Sequence, residues 1–203
     1  ARLRVDDTST VRLIVPEAFT RTEIDNILKR RDFWIRKHIS RFENAKKAIS
    51  LRVGQVLFLG DPYRYVFDRS VNNRTIINYD YRTIRTGLDL ADAETLRRWY
   101  RRQARKHIAE RVHILADKNK MFFKKLFIRN QKTKWGNCSS IKNLSFNWKL
   151  IKTPQYVIDY LITHELTHTE IMDHSQKFWF KVKILCPEYK KATEWLTKYG
   201  RAL

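Results

Sequence analysis

His164-Glu165-Leu166-Thr167-His168 constrains this chain more than any other stretch. Residues four apart on a helix share a face, so the segment makes chemical sense as a helix whose two imidazoles reach one metal ion. Glu165 lies about 100° further round. It cannot sit directly beside both ligands, but it can reach a water at the same ion. His174 follows six residues after His168, inside Met172-Asp173-His174-Ser175, which reads as a turn. A third nitrogen can therefore return to the metal once the helix ends. Three protein ligands, an open fourth position and a carboxylate base form the minimal kit for metal-assisted hydrolysis.

The competing reading is a polar helix face on which two histidines pair with glutamate and solvent. With 6 His and 9 Glu in 203 residues, random order gives one such spacing in roughly one chain in a hundred. Val157, Tyr160, Leu161, His164, His168 and Ile171 also fall on one helical stripe, so both histidines continue an apolar, buried face. Two imidazoles buried side by side need a shared partner, and one metal satisfies both nitrogens. Three His suit several divalent ions, with zinc first among them; one Zn²⁺ per chain is expected. A structural zinc site is usually closed by four ligands and often uses Cys, so the open three-His set with its glutamate favours catalysis.

A chain of 203 residues fits one domain or two small lobes, and 43% hydrophobic residues can build a core. No run approaches ~18 uninterrupted apolar residues, so no membrane span is expected. No signal-peptide h-region is visible at the N-terminus. Cys138 and Cys186 form no C-x-x-C pair, which fits a reducing, cytoplasmic setting better than a disulfide scaffold. The net charge is +21. A field of that size draws anions: nucleic acid, nucleotides, acidic peptides or membrane surfaces. A uniformly basic surface without a dedicated partner explains it equally well. Residues 91–203 carry twice the net charge of residues 1–90, +14 against +7.

The periodicities imply an α+β fold. Leu3–Val5 and Val11–Val15 read as short strands around the turn-like Asp6-Asp7-Thr8-Ser9. Thr20-Arg21-Thr22-Glu23 is a capping-box pattern opening a helix that reaches about Ala48. Val56–Leu59, Tyr63–Phe67 and Thr75–Asn78 read as a small antiparallel sheet, with Gly60-Asp61-Pro62 and Asn72-Asn73 as turns. A helix is expected from Asp92 to about Lys118. One side of it carries Arg97, Arg98, Arg101, Arg102, Arg105 and Lys106, either a solvated face or a surface for nucleic-acid phosphates. Leu126–Ile128 and Leu144–Leu150 follow as strands. Thr153 is expected as N-cap of the motif helix with Pro154 in its first turn, and Ser175 as N-cap of the next helix, which stops at Cys186-Pro187. A last helix runs from about Glu188 to Gly200. The natural division is 1–90 and 91–203, or one continuous domain.

Lys132-Thr133-Lys134-Trp135-Gly136-Asn137-Cys138-Ser139-Ser140, Leu144–Ile151, Pro154, Val157–Tyr160, the H-E-L-T-H run, His174-Ser175 and Phe178-Trp179 occur in that order. Together with Arg2–Val5, Val11-Arg12, Trp34-Ile35, Leu59-Gly60 and Tyr63, they resemble the YgjP-like zinc metallopeptidase family, relatives of the SprT-like and WLM peptidases. The resemblance runs over nearly the whole chain. It implies a compact zincin-like α+β domain, His164, His168 and His174 as metal ligands, and Glu165 as the catalytic residue. It implies a metal-dependent hydrolase, most often a peptidase, although one branch is linked to nucleoside triphosphate pyrophosphatase activity on UTP. The family usually reads W-G-S-C where this chain has Asn137, a small polar change in an expected loop. Thr167 and Thr169 stand where small or apolar residues are common.

Substrate contacts are expected on the segment leading to the motif. An extended peptide can pair with strand 144–150 if its edge is free, and Asn147 then offers a donor; the alternative for Asn147 is an ordinary exposed strand residue. For a nucleotide, Arg129, Lys132 and Lys134 can clamp phosphates, or they form a basic loop on a basic protein. Trp135 reads as a core residue or a pocket wall. Cys138 reads as a buried small hydrophobe, a gate, or a fourth ligand. A peptidase brought to nucleic acid by the 97–106 stripe combines these readings.

Overall fold

The computed structural model describes residues 1–5, 10–131 and 133–203. The expected turn at Asp6–Ser9 and the residue Lys132 lie outside the described residues. Contacts divide the chain into two compact units, residues 1–50 with 194–203, and residues 51–193. Residue 90 lies inside the second unit.

The first unit holds β1 (Arg2–Val5) antiparallel to β2 (Val11–Ile14). Helix α1 (Arg21–Ala48) follows. Its start is written locally: the Thr20 hydroxyl accepts the Glu23 N–H (3.3 Å), and the Glu23 carboxylate accepts the Thr20 N–H (2.8 Å). Of its 28 residues, Phe42 and Ala45 are buried.

The second unit contains two sheets. The first is ordered β3 (Gln55–Phe58), β4 (Asp61–Phe67), β6 (Thr83–Thr86), β5 (Thr75–Asn78). It is mixed, not purely antiparallel as the sequence suggested, because β6 inserts between β4 and β5 and runs parallel to β4. The β3–β4 turn is Leu59-Gly60, both at positive φ (50° and 89°), as a two-residue hairpin of the I′ kind requires. Asp61 and Pro62, expected in a turn, already belong to β4; Pro62 costs no ladder bond there because pairing with β6 begins at Arg64. Helix α2 (Ala93–Lys118), capped by Asp92, packs Trp99 onto Phe58, and the Tyr100 hydroxyl donates to Leu57 O (2.9 Å).

The other sheet is ordered β7 (Lys125–Arg129), β9 (Asn143–Asn147), β8 (Gly136–Cys138), with β7 parallel and β8 antiparallel to β9. Two expectations change here. The strand expected over 144–150 ends at Asn147, where the chain enters a 3₁₀ helix, Trp148–Lys152; the Asn147 side chain accepts the Lys149 N–H (3.1 Å), which favours the turn over a further strand. β9 is also the middle strand, so it has no free edge for a peptide. Asn137, expected in a loop, lies in the outer strand β8.

Helix α3 (Gln155–Thr167) carries the motif. Pro154, not Thr153, takes the N-cap place; the Thr153 hydroxyl donates back to Leu150 O (2.9 Å). Val157, Ile158, Ile162, Thr163 and Thr167 are β-branched and weak helix formers, so burial rather than propensity holds this helix. Nine of its 13 residues are buried. Arg111 of α2 grips Asp159 with two hydrogen bonds (2.6 and 2.9 Å), Gln155 donates to the same carboxylate (2.8 Å), and His107 bonds Gln155 (2.7 Å). Helices α4 (Gln176–Leu185) and α5 (Tyr189–Tyr199) follow; Ser175 occupies the α4 N-cap place, without a side-chain cap bond.

Candidate metal centre

α3 ends where the motif does. His164 and Glu165 lie in its last turn and His168 is the C-cap residue. The buried hydroxyls nearby are satisfied inside the turn: Thr167 donates to Thr163 O and Thr169 to Leu166 O, each at 2.7 Å. The chain then doubles back, and Asp173 Oδ1 accepts the Ser175 N–H (3.0 Å), fixing the loop that carries His174. The outcome is a cluster: His168 Nε2 and His174 Nε2 each stand 3.2 Å from His164 Nε2. A cation there also meets the negative end of the α3 dipole.

Aromatic rings of α4 hold the cluster. Phe178, fully buried, stacks on His168 (centroids 4.4 Å) and meets His164 edge-on (4.9 Å), while Trp179 stacks on His174 (5.7 Å). The His168 Nδ1 bonds Ile171 O (3.0 Å), which places the ring proton on Nδ1 and leaves the Nε2 lone pair facing inward. Burial, followed by the neighbouring His168 and His174, pushes His164 down to about 3, so its ring is neutral. Burial also lowers His168.

The nitrogens pass a direct test for a metal. One N–H on His164 Nε2 can point at only one of two neighbours 3.2 Å away, which leaves another lone pair facing a lone pair. Ligands about 2.0 Å from a shared tetrahedral ion stand about 3.3 Å apart, close to the spacing here. Among the described residues, His164, His168 and His174 form the group of potential ligand atoms, all within 4.8 Å of one another.

Glu165 is 6% exposed, and its side chain rests against Gly136 of β8. Burial raises its carboxyl to about 7, against the opposing effects of the Lys134 charge and the Cys138 N–H, which donates to it. Asn147 N–H donates to Trp135 O and Ser139 N–H to Asn143 O, both at 2.9 Å. The alternation of an antiparallel ladder therefore turns the N–H and C=O groups of Gly136 and Cys138 away from β9, toward the outer edge.

Comparison with known proteins settles the lineage at this point. The model of the YgjP-like metallopeptidase domain matches residues 1–199. This chain belongs to that family. Among solved structures, the metallopeptidase zymogen abylysin of Pyrococcus abyssi is similar at a TM-score of 0.41 and 21% identity, covering 47% of this chain and 98% of its own. No curated protein matches. Family membership supports a metal-dependent hydrolase of the peptidase kind, and with it a metal, for which the histidine cluster is a fitting holder.

The other residues singled out from sequence separate in space. Lys134 is exposed, reaches Asn137 Oδ1 (3.4 Å), and is the described cation whose charge Glu165 senses. Arg129 lies over the Phe127 ring (4.9 Å) instead. Asn147 is neither exposed nor available as a donor: its amide donates to Gln131 O (2.7 Å) and Lys134 O (3.4 Å), tying down the segment before β8. Trp135 is half-buried next to β8. Cys138 is not part of the ligand group, and burial with nearby Glu165 raises its thiol to about 11. The basic stripe on α2 is partly committed: Arg97 pairs with Glu94, Arg98 bonds Thr95, and Arg102 caps Asn73 O and Thr75. No described helix is long and apolar enough to cross a membrane. Sequence reasoning passed over Gly136 and the Cys138 N–H as neighbours of Glu165, because a glycine and a backbone amide leave no side-chain signal.

Proposed function

We propose that the chain is a zinc-dependent peptidase in which His164, His168 and His174 hold one ion and Glu165 is the general base. The observation that carries this reading is the convergence of three Nε2 atoms at the helix end that also holds a buried carboxylate. A bound Zn²⁺ would supply Lewis acidity and bring the pKa of a water near ~7. The chain's own groups do the remainder. Glu165 takes a proton from the attacking water and passes it to the leaving amine. A carboxyl lifted to about 7 by burial is matched to a task that needs both its forms near neutral pH. Phe178 stacks on His168 and Trp179 on His174, which fixes the imidazoles. The outer edge of β8 offers the Gly136 N–H and C=O to an extended peptide, a place the sequence had assigned to β9. Lys134 stands at the same edge, where it can meet a substrate carboxylate or carbonyl.

The test compares the zinc-loaded protein with Glu165→Gln on unfolded proteins and on nucleoside triphosphates. The expected outcome is proteolysis that disappears in the variant while zinc stays bound. Pyrophosphate release that disappears instead would replace the peptidase reading with a nucleotide one.

A further inference from the structure

The surface against which Glu165 rests is backbone. A Cβ added to Gly136 would stand 2.7 Å from Glu165 Cγ, 2.7 Å from Oε1 and 3.0 Å from Cδ, distances that real Cβ contacts almost never show. Two residues on, the Cys138 N–H donates to the same carboxylate. Gly136 is not at positive φ, so the backbone there tolerates a side chain. A glycine inside a strand weakens it, and here the sheet gains nothing in return except the space that Glu165 fills.

We propose that Gly136 is a positioning residue for the Glu165 carboxylate: its missing side chain lets the carboxylate lie flat on β8 and meet the Cys138 N–H. The proposal rests on the reading of Glu165 as the base. It separates two jobs within the motif. The histidines are fixed by the α3–α4 turn and its rings, whereas the base is fixed by a strand outside the motif. The metal-holding and proton-transferring halves of the site can therefore be perturbed independently.

The atoms that would yield to a methyl group at Gly136 belong to the Glu165 side chain, so Gly136→Ala is expected to fold. Its zinc affinity, read by competition with a chelator, should stay within about twofold of the parent, because no ligand moves. Its kcat should fall roughly ten- to a hundredfold, the scale of a displacement near 1 Å in a reacting group. In metal-free protein, the NMR resonance of the Cys138 amide should shift and its hydrogen exchange quicken as the bond to Glu165 is lost. Glu165→Ala, which keeps none of the three crowded atoms, should remove the conflict. In the metal-free Glu165→Ala protein the Gly136→Ala change should then alter the Cys138 amide exchange by less than about twofold. A full kcat in Gly136→Ala beside an inactive Glu165→Gln would overturn the proposal and leave the base assignment standing. Cys138 exchange that quickens further with Gly136→Ala in the Glu165→Ala background would also overturn it, showing a defect of the strand. A fully active Glu165→Gln would remove the base assignment, and the proposal with it.

Discussion

Helices α1 and α3 solve opposite problems. α1 has 28 residues, a reciprocal cap at Thr20 and Glu23, acidic Glu23 in its first turn and lysines in its last, and it buries two side chains. α3 has 13 residues, no side-chain cap and several β-branched positions, yet it buries nine. Local chemistry specifies α1; surroundings specify α3. The difference reaches function because the packing that holds α3 also removes water from its last turn. That removal neutralises His164 and lifts the Glu165 carboxyl. An exposed helix like α1 could carry the same five-residue motif and would lack this electrostatic setting.

The largest expected effect tests that contrast directly. Ile162 is fully buried in α3, and Ile162→Ala should cost about 2–5 kcal/mol, a cavity no neighbour can close. Ile24→Ala, on the half-buried stripe of α1, should cost under about 1.5 kcal/mol. Urea unfolding followed by fluorescence and far-UV circular dichroism reads both, and equal losses would break the comparison.

Lys152, in the 3₁₀ helix that leads into α3, sharpens it. Burial pushes its ammonium down to about 8, although its Nζ stands over the rings of Tyr100 (4.5 Å) and Trp148 (5.4 Å), which favour the charge. A basic group with a lowered native pKa binds fewer protons folded than unfolded between that value and its ordinary one. Stability should therefore rise from pH 8 toward 10, by about 1–2 kcal/mol after allowing for the rings. Lys152→Met should abolish that rise; a slope that survives would assign it to other groups.

The ion pairs offer a third contrast. Arg111 and Asp159 join α2 to α3 at 31% and 22% side-chain exposure, whereas Arg36 and Asp32 on α1 are 79% and 54% exposed. Asp159→Asn should cost about 1–2 kcal/mol, since Arg111 keeps a neutral acceptor and partial solvent. Asp32→Asn should leave the midpoint unchanged. If both were silent, the clamp on α3 would be packing alone.

The same division explains what could be read in the sequence. The capping box of α1, the span of α2 from about Asp92 to Lys118 and the spacing of His164, His168 and His174 are local patterns, and the structure carries each. β8, with Gly-Asn-Cys, has little intrinsic strand character and β9 recruits it by pairing, whereas β6, with Thr-Ile-Arg-Thr, has strand formers but only four residues, and its place beside β4 is a non-local fact. Leu144–Leu150 alternates as a strand would, but Asn147 spends its side chain on Lys149 and on the preceding loop, which ends the strand three residues early. Which of Arg129 and Lys134 faces Glu165 depends on how β7 and the segment before β8 are placed, a non-local fact.

The smallest effect belongs to α1. Thr20→Ala removes the acceptor for the Glu23 N–H and frees the Glu23 carboxylate from the Thr20 hydroxyl (2.7 Å), so a helix that buries little loses its chief local support. The expected cost is about 1 kcal/mol, typical for an N-cap threonine. Amide exchange should quicken in the first two turns of α1 and stay unchanged in α3, because the cap acts only where chain ends compete with water. Exchange that quickens equally in α3 would mean that the helix ruled by local chemistry also sets the order of the helix that carries the histidines.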